Sequence, residues 1–150
     1  MTIKQLSVFL ENKPGQLLAP CRILADAGLN IITLSLADTR QFGILRLIVR
    51  EWEKARALLE AAGCVVKVTD VLALEVEDRP GGLADIVAAL DKAGVNIEYM
   101  YAFAFGARGR ALLVLRFADN AAALAALAAG AIPVVRESDL SDWPATCGAE

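Results

Sequence analysis

Asn12-Lys13-Pro14-Gly15-Gln16-Leu17 returns later in the chain as Asp78-Arg79-Pro80-Gly81-Gly82-Leu83, and Ala27-Gly28-Leu29-Asn30-Ile31 returns as Ala93-Gly94-Val95-Asn96-Ile97. Both motifs recur at the same separation of 66 residues. A constant displacement across two separate motifs is the mark of one folded unit present twice. The matching residues are turn formers and helix enders, while the side chains between them have drifted.

Working outward from these anchors, each copy shows the same order of elements. Ile3 to Leu10 alternates apolar and polar residues as a strand does. Asn12 to Gly15 forms a turn, and Pro14 has the fixed φ that suits a first helical position. Leu17, Cys21, Leu24 and Gly28 follow at helical spacing; Leu83, Ile86, Val87 and Leu90 make a cleaner apolar face in the second copy. Pro20 stands where the second copy has Ile86, so the first helix is expected to start late or kink there. Gly28 and Gly94 are placed to close the two helices in the left-handed conformation.

Second strands are expected over Asn30 to Asp38 and Asn96 to Phe105, each followed by a turn containing Gly43 or Gly109. Ile44 to Arg50 and Ala111 to Phe117 are continuous apolar runs suited to central strands. Trp52 to Ala62 and Asp119 to Ala129 read as second helices. Gly63 and Gly130 are placed to close them, and their separation of 67 implies one extra residue near the second hairpin. Val65 to Val68 and Ile132 to Arg136 complete the set.

Each copy is thus β-α-β-β-α-β. With right-handed crossovers this gives an antiparallel sheet with both helices on one face, so the fold class is α+β, two ferredoxin-like units packed together. The expected domains are 1–69 and 70–138, with 139–150 a tail, disordered unless Trp143 docks it. Cys64 to Val76 contains no Pro, Gly or Ser, so no flexible linker is expected. The last strand of copy one then runs almost directly into the first of copy two, and exchange of strands between the units is open as a hypothesis.

Units of roughly 70 residues bury only about 60% of their unfolded surface and are marginal alone. A hydrophobic fraction of 57% in 150 residues suggests apolar surface reserved for an interface, favouring at least a dimer. No run approaches the length of a membrane span and the N-terminus is unlike a signal peptide, so a soluble, cytoplasmic protein is expected. A net charge of −3, with Arg108 and Arg110 the one tight basic pair, argues against a nucleic-acid surface.

The absence of histidine excludes His-dependent triads and His-ligated metal sites. Carboxylates and lysines remain, so catalysis is disfavoured rather than excluded, and no metal or cofactor is expected. Cys21, Cys64 and Cys147 are far apart and lack paired spacing, as in a reducing cytosol; Cys21 and Cys64 read as core residues.

The Asn/Asp-basic-Pro-Gly-x-Leu loop after the first strand, with Ala-Gly-(Leu/Val)-Asn-Ile entering the second, resembles the ACT domain. ACT domains are small regulatory modules found on amino-acid-metabolising enzymes and as stand-alone proteins. The resemblance covers about residues 3–137, twice over. It implies a non-enzymatic regulator that binds a free amino acid as effector at the seam where two ACT units meet, as a homodimer or with a regulated partner enzyme. The alternative is an interaction or oligomerisation module that has kept this fold and lost its ligand.

By this resemblance the ligand-binding residues are Asn12, Gly15, Leu17, Asn30 and Ile31 in the first copy, and Asp78, Gly81, Gly82, Leu83, Asn96 and Ile97 in the second. The residue chemistry is compatible. A glycine loop before a helix N-terminus suits a carboxylate, although Pro-Gly after a strand also serves as a plain turn. An asparagine amide can donate to a carboxylate and accept from an ammonium, although it also caps helices. Asp78 in place of Asn12 can meet an ammonium but repels a carboxylate, so the two sites should differ.

Tyr99, Tyr101, Phe103 and Phe105 alternate onto one strand face, against Thr33, Ser35, Ala37 and Thr39 in the first copy. Packing is the ordinary role of such a stripe. Drift in one copy alone is also what specialisation of one site produces, and Tyr99 and Tyr101 are candidates for ligand contact. Residues 1–68 and 70–138, expressed separately, are expected not to yield stable monomers. Size-exclusion chromatography tests this, and two well-folded monomeric halves would rule out strand exchange.

Overall fold

Strand alternation builds the first layer. The computed structural model describes residues 2–38, 40–103 and 110–140. Lys4–Thr69 forms one compact unit, and the chain from Asp70 forms most of a second. In β1 (Ile3–Glu11), Leu6, Val8 and Leu10 fall on one face at the two-residue period of a strand. After α1 (Leu18–Asp26) and β2 (Ile31–Asp38), β3 (Phe42–Val49) adds Leu45, Leu47 and Val49 to that face. β3 lies between its neighbours, pairing antiparallel with β1 (Leu6 opposite Leu47) and with β2 (Leu34 opposite Leu47). Leu24 of α1, Leu29 beyond it, and Ala55 and Leu59 of α2 (Trp52–Ala61) cover the face, and Val66 and Val68 pack against the same core.

Those two valines open β4, which runs unbroken from Val65 to Glu77 and supplies Leu72, Leu74 and Val76 to the second core. There they meet Ile86 and Leu90 of α3 (Gly82–Lys92), Leu113, Leu115 and Phe117 of β6 (Arg110–Phe117), and Ala123, Ala126 and Leu127 of α4 (Asn120–Ala129). β5 (Ile97–Phe103) and β7 (Val134–Val135) flank this sheet, whose order is β7-β4-β6-β5 with antiparallel pairing throughout. β7 has only two residues, shorter than the expected strand over Ile132 to Arg136. The class is α+β, with antiparallel sheets and helices packed against them.

The duplication is visible at the level of pairing register. Leu34 faces Leu47 in β2–β3, and Met100 faces Leu115 in β5–β6. Both pairs of strands carry a register shift at the same place, between Ile31 and Thr33 and between Ile97 and Tyr99. The matching positions are 66 apart up to β5 and 68 apart from β6, so the second hairpin is two residues longer rather than one. This moves the last helix closure. Gly63 has φ +85, but its expected counterpart Gly130 has φ −85, and the left-handed residue is Ala131 at φ +53. Gly130 serves packing instead: an added Cβ would lie 3.3 Å from the Ala89 side chain of α3. Gly43 belongs to β3, opposite Leu10 and Asp38, not to the turn, and Gly109 is outside the described residues.

α1 starts late, as Pro20 requires, and without the proline at its first position: Pro14 and Pro80 both sit in the preceding turns. Pro20 is the third residue of α1, in the first turn where an N–H has no helical acceptor, so it is accommodated and buried. Gly82 explains the contrast with α3, which begins at that residue. A Cβ there would be 2.2 Å from the Glu77 carbonyl oxygen. Gln16, its counterpart, carries the Cβ that so close an approach excludes, and α1 begins two positions further on. Residues 137–140 form a helical turn with Leu140 buried, so packed structure passes the expected boundary at 138.

Gly82→Ala should destabilise the fold by about 2 kcal/mol, because the backbone must shift. Gly15→Ala should cost roughly 1–2 kcal/mol from its left-handed backbone alone, as open space surrounds it. Urea denaturation separates these from Gln16→Ala, for which little change is expected. The Arg136 guanidinium donates to Asp139 at 2.8 and 3.1 Å and holds that carboxyl below its ordinary range. A depressed folded pKa stabilises above the unfolded value of about 3.9 and ceases to do so as pH falls through the folded value. The Leu140 amide, bonded to the Arg136 carbonyl at 3.0 Å, should therefore lose protection from solvent exchange, relative to its intrinsic rate, as pH drops below about 4.

Candidate functional site

The two Pro-Gly loops share one backbone frame. The Glu11 carbonyl accepts from Lys13 and the Glu77 carbonyl from Arg79, each at 2.9 Å. Lys13 O accepts from Gln16 at 3.3 Å, and Arg79 O from Gly82 at 3.1 Å. Gly15 (φ +87) and Gly81 (φ +90) occupy the left-handed region, which is why each loop needs its glycine.

Beyond that frame the loops differ. Gly81 is the N-cap of α3, with no side-chain cap. Gly82 and Asp85 give their amides to Arg79 and Gly81, leaving Leu83 and Ala84 at the helix end. At α1, Ala19 bonds to Gly15 and Pro20 has no N–H, so this end offers fewer donors. The second loop also has a fixed charge pattern: Arg79 reaches Glu77 at 2.5 Å and Asp85 at 2.7 Å. Those hydrogen bonds, Glu77 first and Asp85 next, raise the guanidinium pKa further. Asp78 is exposed beside them. Backbone donors and a carboxylate side by side offer partners to both ends of a zwitterion. In the first loop Lys13 pairs with Glu11 at 2.6 Å, and the Asn12 amide donates to the Gln41 carbonyl at 3.1 Å.

Asn30 and Asn96 lie just ahead of β2 and β5, in corners made by the helix closures. Gly28 has φ +70 and Gly94 φ +68. Leu29 donates to the Leu24 carbonyl at 2.9 Å and Val95 to the Leu90 carbonyl at 3.0 Å. This double reversal buries Leu29 and leaves Asn30 exposed. An open groove of about 370 Å³ lies at the first corner, lined by Cys21, Leu24, Ala25, Gly28, Leu29, Asn30 and Ile31. Cys21 is half-buried and faces this groove, rather than belonging to the core as its helical spacing suggested. Cys64 packs against the core, and burial pushes its thiol pKa up.

Loop and corner stand at opposite ends of one helix. At 1.5 Å per residue, the nine residues of α1 hold Gly15 and Asn30 roughly 13 Å or more apart. The same holds across α3 for Gly81 and Asn96, so within a unit the structure does not bring the two motifs together. Leu17 and Leu83 are exposed at the helix starts (41 and 44%), and Ile31 and Ile97 pack against their cores. Tyr99 and Tyr101 alternate away from the core-facing Met100 and pair with Arg116 and Val114, on the sheet face opposite the helices. They are half-buried there. Glu98 takes up the register shift and pairs with Arg116 at 3.3 Å. Thr33, the counterpart of Tyr99, is buried, as are Gln5 and Ser7, whose side chains bond at 3.1 Å. The positions of Thr39 and Phe105 lie outside the described residues.

The residues that sequence alone did not single out are Cys21, Leu24, Ala25 and Leu29, which complete the groove around Asn30. Their spacing along α1 was visible, but it is the same spacing that marks a core stripe. Among the described residues, no group of three His, Cys, Asp or Glu could hold a metal ion, and no helix is long and apolar enough to cross a membrane.

The family model of the ACT domain pair matches residues 1–143. The crystal structure of protein BT0572 from Bacteroides thetaiotaomicron is similar at 37% identity and a TM-score of 0.87, covering 93% of this chain and 96% of that one. The regulatory subunit of aspartate kinase from Thermus thermophilus, in its ligand-free form, shares the fold at 16% identity and a TM-score of 0.62 (85% of this chain, 91% of that one). The corresponding Thermus flavus subunit is alike at 17% and 0.61, over 85 and 91%. No match was found among curated proteins.

Arg79 ties the end of β4 to the first turn of α3 across the glycine loop. Arg79→Ala should therefore speed amide exchange at Gly82, whose N–H bonds to the Arg79 carbonyl, while leaving the urea midpoint nearly unchanged, because exposed ion pairs contribute little to global stability. High salt should mimic the effect in the unmodified protein.

Proposed function

We propose that this chain, which belongs to the family of ACT domain pairs, is a non-enzymatic regulatory protein of the cytoplasm that senses a small amino acid. The observation that carries this reading is the groove at the first helix closure, where the exposed Asn30 amide borders an otherwise apolar lining. Apolar walls with a few placed polar groups suit a small ligand whose backbone needs hydrogen bonds and whose side chain does not. The Pro-Gly loops are the complementary half: an uncapped helix N-terminus favours a carboxylate. Loop and asparagine corner are a helix length apart in each unit, so a ligand held by both takes them from two ACT units, of this chain or of another copy.

The regulatory step is linkage. A ligand that prefers one arrangement of ACT units over another shifts the population toward it, and a partner reads the shift. An effector of roughly ten non-hydrogen atoms has room for micromolar affinity at best when the site must also order around it. The aspartate-kinase subunits with the same fold are regulatory by name, in keeping with this role. Leu18 at 59% and Val87 at 38% exposure, with Leu17 and Leu83, also leave apolar helix surface for a partner, either a second copy or a regulated enzyme. That surface favours the second reading, an interaction module without a ligand.

Thermal melting of the full chain against the twenty amino acids separates the two. At least one should raise the melting temperature at millimolar concentration, and Gly81→Val together with Asn30→Ala or Asn96→Ala should weaken that shift. Indifference to every amino acid would leave the interaction module as the surviving reading.

A further inference from the structure

The two copies provide an internal comparison of the asparagine corner. Each residue lining the first groove has a counterpart 66 positions on. Leu24, Gly28, Asn30 and Ile31 recur as Leu90, Gly94, Asn96 and Ile97, and Leu29 becomes Val95. Two positions change in character: Cys21 becomes Val87, and Ala25 becomes Asp91. Both lie in the last two turns of their helices, directly before the closure that presents the asparagine.

We infer that the first corner, and not the second, receives the effector, and that Cys21 and Ala25 restrict it to neutral amino acids with apolar side chains. This rests on the amino-acid reading above and gives it a class of ligand. Among the described residues, no ionised side chain lines the first groove; Asp26, the acidic residue next to Ala25, is not part of its wall. Asn30 can serve the ligand's ammonium or carboxylate, while Cys21, Leu24, Ala25, Leu29 and Ile31 surround its side chain. A lysine or aspartate side chain would set its charge against a wall whose described residues offer no counter-charge, which is unfavourable.

In the second corner, Asp91 would put a carboxylate where the first has the methyl of Ala25. Seating an apolar ligand side chain against that carboxylate would strip it of water, which disfavours binding. Val87 adds a branched side chain where the first copy has a slim thiol. The second corner keeps the backbone reversal and the asparagine, and changes the wall that a ligand side chain would touch.

The test is isothermal titration and thermal melting of the full chain with leucine, isoleucine, valine, methionine and phenylalanine, against lysine, aspartate and glutamate. One or more of the apolar set should bind at least tenfold more tightly than any charged amino acid. Ala25→Asp and Asn30→Ala should each weaken that binding tenfold or more, and Asp91→Ala should leave it unchanged. Ala25 is exposed, so the aspartate should fold, and matching urea midpoints confirm it. Cys21→Trp fills the same groove without adding charge and should also abolish binding.

Equal affinity for a charged amino acid would overturn the inferred class. Binding that survives Ala25→Asp but is lost in Asn96→Ala would move the site to the second copy; either result leaves the amino-acid reading standing. If no amino acid of any class binds, that reading falls and this inference with it.

Discussion

The chain reversal at Gly28 and Gly94 is the constraint on which the rest depends. At φ near +70 the peptide after the helix turns back, so that Leu29 and Val95 bond to carbonyls of the last helical turn. An L-residue with a side chain avoids that region by roughly 1–2 kcal/mol, so the glycine is specified by geometry. The reversal sends Leu29 into the core, leaves Asn30 at the surface, and starts β2 at Ile31 in register with Val49. The groove exists because helix end, reversal and strand start meet around one glycine that has no side chain to fill it.

The copies diverge where a backbone feature permits two solutions. Gly82 lets α3 press against the Glu77 carbonyl and begin at once; Gln16 forbids this, so α1 begins later and can carry Pro20 in its first turn. A helix end with its amides available and one lacking a donor at its third residue are chemically unequal, although they stand at equivalent places in the repeat. The second sheet shows the same freedom. Two additional hairpin residues move the final left-handed position from the glycine to Ala131, and Gly130 becomes the point where α4 approaches α3. Duplication preserved the backbone turns and released the surfaces between them.

Much of the fold could be read from the sequence because it depends on periodicities and on residues with singular backbone preferences. The alternation of Leu6, Val8 and Leu10, the left-handed Gly15, Gly28, Gly63, Gly81 and Gly94, and the late start of α1 all follow from such local rules. The misplacements are informative. Pro14 suits a helix start but lies in a turn, as Pro80 does, because the glycine after each proline takes the left-handed conformation. The extra residue inferred from Gly130 became two, since a glycine pattern counts candidates for a turn while strand pairing counts residues. At the site, Asn30 stood out by recurrence. Cys21 and Ala25 did not, because a residue lining a groove and one packed in a core share the same helical spacing.

The sequence by itself determined the duplication, the β-α-β-β-α-β order of each unit, the ACT resemblance and the paired loop and corner motifs. Each is set by local sterics or by the period of apolar residues, which a chain carries wherever it folds. Only the tertiary structure decided that loop and corner lie a helix length apart, that Tyr99 and Tyr101 occupy the face away from the helices, and that Cys21 borders open space. These are distances and directions between elements. They depend on side-chain volumes, strand register and close backbone approaches acting together, and no single stretch of sequence contains them.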